Sequence, residues 1–182
     1  MDAEAARLMS EGEVTRVIFD EATIARRVAE LGREITAAYP EGELLVLGLL
    51  KGGFIFMADL VRQIRRPLQA DFLVASSYGP ETVSSGHVRL LYDPAVSLAG
   101  RHILLVEDII DTGRTLARLV DMLRARGPRS LAICALLDKH VAENPPPEIR
   151  WIGFDAPPLF LVGYGLDRAE QFRHLPFIGA LS

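Results

Sequence analysis

Apolar residues along this chain follow two rhythms. Ile24, Val28, Leu31 and Ile35 stand at i, i+4, i+7 and i+11, one face of an amphipathic helix that opens at Asp20 as N-cap and stops before Pro40. The run Leu44-Leu45-Val46-Leu47-Gly48-Leu49-Leu50 is continuous instead, too short for a typical helix and bounded by Gly42 and by Lys51-Gly52-Gly53, so it predicts a buried strand. Phe54 to Ile64 then predicts a helix, Asp71 to Ala75 a second strand, and Ser76 to Gly86 a polar loop without periodicity that reads as mobile. Beyond it come a short strand over Val88 to Tyr92 and a buried one over His102 to Val106. A helix from Thr115 follows, with Leu116, Leu119, Val120 and Leu123 on one face, and then a buried strand over Leu131 to Leu137. Pro145-Pro146-Pro147 marks a linker, and Trp151 to Ser182 carries short apolar runs. Strands alternating with helices imply an α/β fold, a mostly parallel sheet with helices on both faces.

With 182 residues, 49% of them apolar, and a net charge of −4, the chain fits one globular domain. It can bury about 70% of the surface its unfolded form exposes without a disulfide or metal staple. Cys134 is the single cysteine, which excludes a disulfide framework and gives no zinc-site spacing. Inside a buried strand it reads as an inert core thiol. The apolar runs stay far below the roughly 18 residues of a membrane span, and the acidic start Met1-Asp2-Ala3-Glu4 is unlike an export signal. The expectation is a cytoplasmic protein with no membrane contact. Net negative charge likewise argues against a general nucleic-acid binder. The residues before Val17 carry no motif and are expected to be partly disordered. Only two of the 20 basic residues are lysines, Lys51 and Lys139. Where arginine fills the generic cationic positions, these two mark candidate sites for a compact ammonium.

The densest chemistry lies in Val106-Glu107-Asp108-Ile109-Ile110-Asp111-Thr112-Gly113-Arg114-Thr115. A buried strand delivers this segment to the carboxyl edge of a parallel sheet, where ligands bind in such folds. Glu107 and Asp108 are adjacent carboxylates suited to a vicinal diol or to a hard divalent cation. Thr112-Gly113-Arg114-Thr115 supplies hydroxyls and free amides at a helix N-terminus, a phosphate cradle. Asp111 stands between the two, placed to accept a proton or a hydrogen bond from a group held over the sugar. A ribose phosphate across the junction fits all four features. His87, His102, His140 and His174 show no ligand spacing and read as structural or exposed.

This segment resembles the phosphoribosyl-diphosphate signature of the type I phosphoribosyltransferases, and Val-Glu-Asp-Ile-Ile-Asp-Thr-Gly is similar to its wording in the hypoxanthine-guanine phosphoribosyltransferases. Leu50-Lys51-Gly52-Gly53 resembles their pyrophosphate loop, in which a cis peptide precedes the lysine. Ser76-Ser77-Tyr78-Gly79 resembles the start of the flexible catalytic loop. Leu136-Leu137-Asp138-Lys139 and Phe160-Leu161-Val162-Gly163-Tyr164-Gly165-Leu166-Asp167, with Arg173, resemble the base- and metal-binding segments. The resemblance spans about 45 to 175. It implies a type I phosphoribosyltransferase fold: a core over about 20–145 and a small hood from the N-terminal segment and about 150–182.

The implied reaction transfers the 5-phosphoribosyl group from phosphoribosyl diphosphate to N9 of hypoxanthine or guanine, giving IMP or GMP and pyrophosphate. Glu107, Asp108, Ile110, Asp111, Thr112, Gly113, Arg114 and Thr115 would bind the phosphoribosyl group, and Lys51, Gly52 and Arg173 the pyrophosphate. Lys139, Phe160, Leu161 and Asp167 would bind the purine, and Glu107, Asp108 and Asp167 a Mg²⁺ ion. Lys139 would donate to the purine O6, where adenine presents a donor of its own, so adenine is disfavoured. Phe160 would stack on the ring. The family also implies a homodimer or homotetramer, with an exposed apolar face expected on the helix carrying Phe54, Phe56 and Leu60. Two alternatives keep the fold: a transferase for xanthine or uracil, and a pyrimidine-operon regulator that binds RNA.

Overall fold

The first helix is capped where the spacing places it: the Asp20 carboxylate accepts a hydrogen bond from the Thr23 amide at 2.7 Å. The computed structural model describes residues 14–77 and 88–181. In order these form β1 (Val14–Phe19), α1 (Glu21–Ala38), β2 (Leu44–Leu50), α2 (Phe54–Gln63), β3 (Gln69–Ser77), β4 (Val88–Tyr92) and β5 (His102–Ile110). Then come α3 (Arg114–Arg124), β6 (Ser130–Asp138), β7 (Ile149–Asp155), β8 (Leu161–Val162) and β9 (Ile178–Leu181). A six-stranded sheet runs β4-β3-β2-β5-β6-β7, parallel throughout except for β4, which is antiparallel to β3.

The continuous apolar runs are explained by two covered faces. Along β2, Leu44 and Val46 pack under α1 and α2 with Ile24, Val28, Leu31, Ile35, Phe56 and Leu60. Leu45 and Leu47, pointing the other way, pack under α3 with Leu116, Leu119, Val120 and Leu123. The same alternation divides β5, with Leu104 and Val106 on one face and Ile103 and Leu105 on the other. Phe56 and Leu60 are therefore fully buried, and the apolar surface expected on α2 reduces to Phe54.

Cys134 is buried in β6, and desolvation pushes its thiol far above the ordinary range. Iodoacetamide is expected to leave the folded protein unlabelled and to modify Cys134 only after denaturation, as read by mass spectrometry. Rapid labelling without denaturant would contradict the packing of this strand.

Three boundaries differ from the pattern-based expectation. β5 runs on through Glu107 to Ile110, because Glu107, Ile109 and Ile110 continue the register with Ala135, Leu137 and Asp138 of β6. Ile149–Asp155, expected in the hood, pairs with β6 as the last strand of the large sheet. A second, three-stranded sheet is built from both ends of the chain, in the order β1-β9-β8. Its β1 starts at Val14, so Val14 to Arg16 are ordered strand, whereas the expected disorder of residues 1–13 lies outside the described residues. Ser76 and Ser77 end β3, and the rest of the expected mobile loop, including Tyr78 and Gly79, also falls outside them. No helix among the described residues is long and apolar enough to cross a membrane.

Candidate functional site

The carboxyl ends of β2, β5, β6 and β7 gather the residues singled out above at one edge of the sheet. On β5 the Glu107 side chain is buried, and burial, reinforced by the adjacent Asp108 carboxyl, pushes its pKa well above the ordinary carboxylate range. Its Oε1 accepts from the Asp108 amide at 3.1 Å. Asp108 is half-buried, with Oδ1 taking the Ile109 amide at 2.8 Å. Past Ile110 the chain emerges: Asp111 and Thr112 are exposed, and Gly113 turns at φ 72° into the first turn of α3. No side chain caps that helix, so its leading amides face outward with their donors open to an anion.

The Lys51-Gly52 loop sits against this strand end. The Leu50–Lys51 peptide is cis. A Cβ on Gly52 would lie 1.5 Å from Asp108 Oδ2, and one on Gly165, at φ 101°, would lie 2.1 Å from the Gly52 carbonyl oxygen. Two glycines thus let the Gly165 turn meet the Gly52 backbone, and the Gly52 backbone meet the Asp108 carboxylate. Arg173 ties the third segment together, donating from Nη1 to the Gly165 carbonyl at 2.7 Å and pairing with Asp167 at 2.9 Å. Its buried Nε has no hydrogen-bond partner.

On the other side of β5, the Lys139 amide donates to the Ile110 carbonyl at 3.0 Å. The Lys139 ammonium reaches Asp111 Oδ2 at 3.3 Å. Phe160, just before β8, is 56% exposed, whereas its neighbour Leu161 is buried. An aromatic ring left open at the start of a buried strand offers a flat apolar face to a ligand. The Phe160 carbonyl accepts from the Leu181 amide at 3.0 Å, which anchors it to β9.

The family described as phosphoribosyl transferase domain matches residues 15–169. This chain belongs to that family. Among similar phosphoribosyltransferases, the hypoxanthine phosphoribosyltransferase of Salmonella typhimurium is 45% identical over 165 residues, covering 90% of this chain and 93% of that protein. The hypoxanthine-guanine phosphoribosyltransferase of Bacillus subtilis is 44% identical over 173 residues, 95% and 96% of the two chains. A crystal structure of a hypoxanthine phosphoribosyltransferase from Staphylococcus aureus superposes with a TM-score of 0.90 at 37% identity, covering 96% of this chain and 95% of that one.

This phosphoribosyltransferase edge also holds groups that sequence reasoning passed over. Glu170 pairs with Lys51 at 3.0 Å and with Arg173 at 3.4 Å, and its hydrogen bond from Lys51 lowers its pKa. Those partners are 119 and 3 residues away along the chain, so the longer link leaves no local signature. Tyr164 donates to Asp59 at 2.7 Å, joining the Gly163-Tyr164-Gly165 turn to α2. His140, read as merely structural or exposed, lies between two carboxylates.

Proposed function

We propose that this phosphoribosyltransferase transfers the 5-phosphoribosyl group from phosphoribosyl diphosphate to N9 of hypoxanthine or guanine, releasing pyrophosphate and giving IMP or GMP. The observation that carries this reading is the convergence on Asp111: an acidic strand end before it, an uncapped helix N-terminus after it, and the Lys139 ammonium 3.3 Å from its carboxylate. The names of the relatives support a 6-oxopurine over uracil or xanthine, and an enzyme over an RNA-binding regulator.

In this proposal the amides of Thr112 to Thr115 hold the 5′-phosphate at the positive end of α3. The Glu107-Asp108 strand end faces the ribose hydroxyls. As the bond at C1′ breaks, positive charge builds on the ribose and negative charge on the departing pyrophosphate. Lys51, the Gly52 backbone and Arg173 lie where the leaving group would be neutralised, by donors already fixed in place. Asp111 accepts from the purine N7 side, as proton acceptor or hydrogen-bond acceptor. The ion pair with Lys139 is broken and replaced when the base enters: the ammonium turns to O6, and Phe160 stacks on the ring with Leu161 beside it.

For Mg²⁺ the reading rests on the chemistry of the donor set. Among the described residues no cluster of three or more His, Cys, Asp or Glu side chains could hold a metal alone, but Glu107, Asp108 and Asp167 offer the few carboxylates that Mg²⁺ takes alongside substrate oxygens and water. Bound there, the ion would offset charge on the pyrophosphate. A cytoplasmic enzyme assembled as a homodimer or homotetramer belongs to the same reading.

The test is pyrophosphate release with phosphoribosyl diphosphate and Mg²⁺, offering hypoxanthine, guanine, xanthine, adenine and uracil in parallel. Turnover with hypoxanthine or guanine and not with adenine is the expected result. Lys139→Met, which keeps the length and removes the ammonium, should lower kcat/KM for hypoxanthine about 30-fold by leaving O6 unpaired. Turnover with uracil alone would sink the purine assignment, and silence with every base would shift it to a regulator.

A further inference from the structure

Asp138 and Asp155 end the neighbouring strands β6 and β7 and stand opposite each other in the parallel register. Two like charges side by side repel. Between them lies His140, which takes a left-handed backbone at φ 54° directly after Lys139. Its amide donates to Asp138 Oδ1 at 2.7 Å. Its ring nitrogens contact both acids, Nδ1 at 3.3 Å from Asp138 Oδ2 and Nε2 at 2.7 Å from Asp155 Oδ1. The Ala156 amide donates to the Asp138 carbonyl at 2.7 Å, closing the same junction through the backbone.

Nε2 is hydrogen-bonded to Asp155 and Nδ1 stands within ion-pair distance of Asp138, so the imidazolium, with an N–H on each nitrogen, serves both carboxylates. The neutral ring keeps one N–H and turns a lone pair toward the other carboxylate. The junction it bridges is also the seam between the two parts of the candidate base pocket. Lys139 precedes His140, and the turn after Asp155 leads in five residues to Phe160.

We propose that His140 is a positioning residue: as an imidazolium clamped between Asp138 and Asp155 it holds the Lys139 segment and the Phe160 segment at the spacing that binds the base. The inference rests on the purine reading above. His140 touches no reacting atom in this arrangement, so its effect falls on binding of the base rather than on the chemical step.

The sign of the pH effect follows from the contacts. The hydrogen bond to Asp155, with the charge of Asp138, raises the His140 pKa. The charged groups facing the ring are Asp138 on β6 and Asp155 on β7, while the adjacent Lys139 ammonium is turned to Asp111. The clamp is therefore complete below the ordinary histidine pKa of about 6.5 and is lost as pH rises through the raised value.

The experiment measures KM for hypoxanthine, KM for phosphoribosyl diphosphate and kcat across pH for the wild-type enzyme and for His140→Asn and Asp155→Asn. Asparagine tolerates the left-handed backbone at 140, and Asp155 is 84% exposed, so both variants should fold. In the wild type, KM for hypoxanthine should rise about threefold as the clamp is lost, the scale of an exposed ion pair. His140→Asn should show the raised KM at every pH with no step, and Asp155→Asn should move the step to lower pH, with kcat and the diphosphate KM unchanged in both. Ionisation of the base itself is common to all three proteins and cancels in the ratio. Profiles that superpose for wild type and His140→Asn, or an effect confined to kcat, would overturn the clamp. A wild-type enzyme that turns over no 6-oxopurine would overturn the purine site itself, and the clamp with it.

Discussion

Asp111→Asn is expected to lower kcat for hypoxanthine about 10²-fold, the scale of losing a positioned proton acceptor, while shifting the melting temperature by no more than about 2 °C. The reason lies in where Asp111 stands. Its side chain is 55% exposed and touches Lys139, at 3.3 Å, across an open edge. Packing elsewhere does not depend on it. Asparagine keeps an acceptor oxygen and the same shape but cannot take a proton. Steady-state rates at saturating diphosphate, with a thermal melt alongside, separate the two roles left open for Asp111. A loss of only a few-fold would make it a hydrogen-bond acceptor, and a fall in kcat matched by a large drop in melting temperature would move its importance from chemistry to folding.

Gly52→Ala should be comparably damaging for a different reason. The added methyl would lie 1.5 Å from Asp108 Oδ2 and 2.4 Å from its Cγ, distances at which atoms cannot coexist. Asp108 is held by the Ile109 amide at 2.8 Å, and the loop is pressed from its other side by Gly165. Either the loop withdraws from the strand end, or the Asp108 carboxylate turns away from it and gives up its bond from the Ile109 amide. A displacement of about 1 Å between groups that act on one substrate is worth about 10²-fold in rate, so kcat/KM for phosphoribosyl diphosphate should fall by that order. Unchanged diphosphate kinetics in this variant would show that the loop does not act at the β5 strand end.

Much of this architecture is legible from local pattern. The two-faced burial of β2, β5 and β6 needs long apolar runs, and the runs are there. The cradle at α3 is written in one continuous segment, so strand, acid pair, turn and helix are read together. Lys51 and Lys139 stand out because arginine fills every other cationic position. What escapes the pattern is what distance along the chain conceals. β1 is held by β9, pairing Val14 with Leu181, and a strand whose partner is that remote carries no hairpin signal. Glu170 is recognisable only once the fold brings Lys51 to it. His140 acquires meaning from Asp155, which reaches it through register rather than sequence. The exposure expected of Phe56 and Leu60 failed similarly, because α1 covers the face they present.

The small sheet has a consequence for C-terminal truncation. Every strand of the large sheet is complete by Asp155, whereas β9, the middle strand of the small sheet, ends at Leu181. The Leu181 amide is also what fastens the Phe160 carbonyl. A chain cut before Ile178 would therefore keep every strand of the large sheet and lose the contact that holds the Phe160 backbone. With β9 gone, β1 and β8 have no strand between them, so proteolysis from that end would undo the small sheet before it touched the large one.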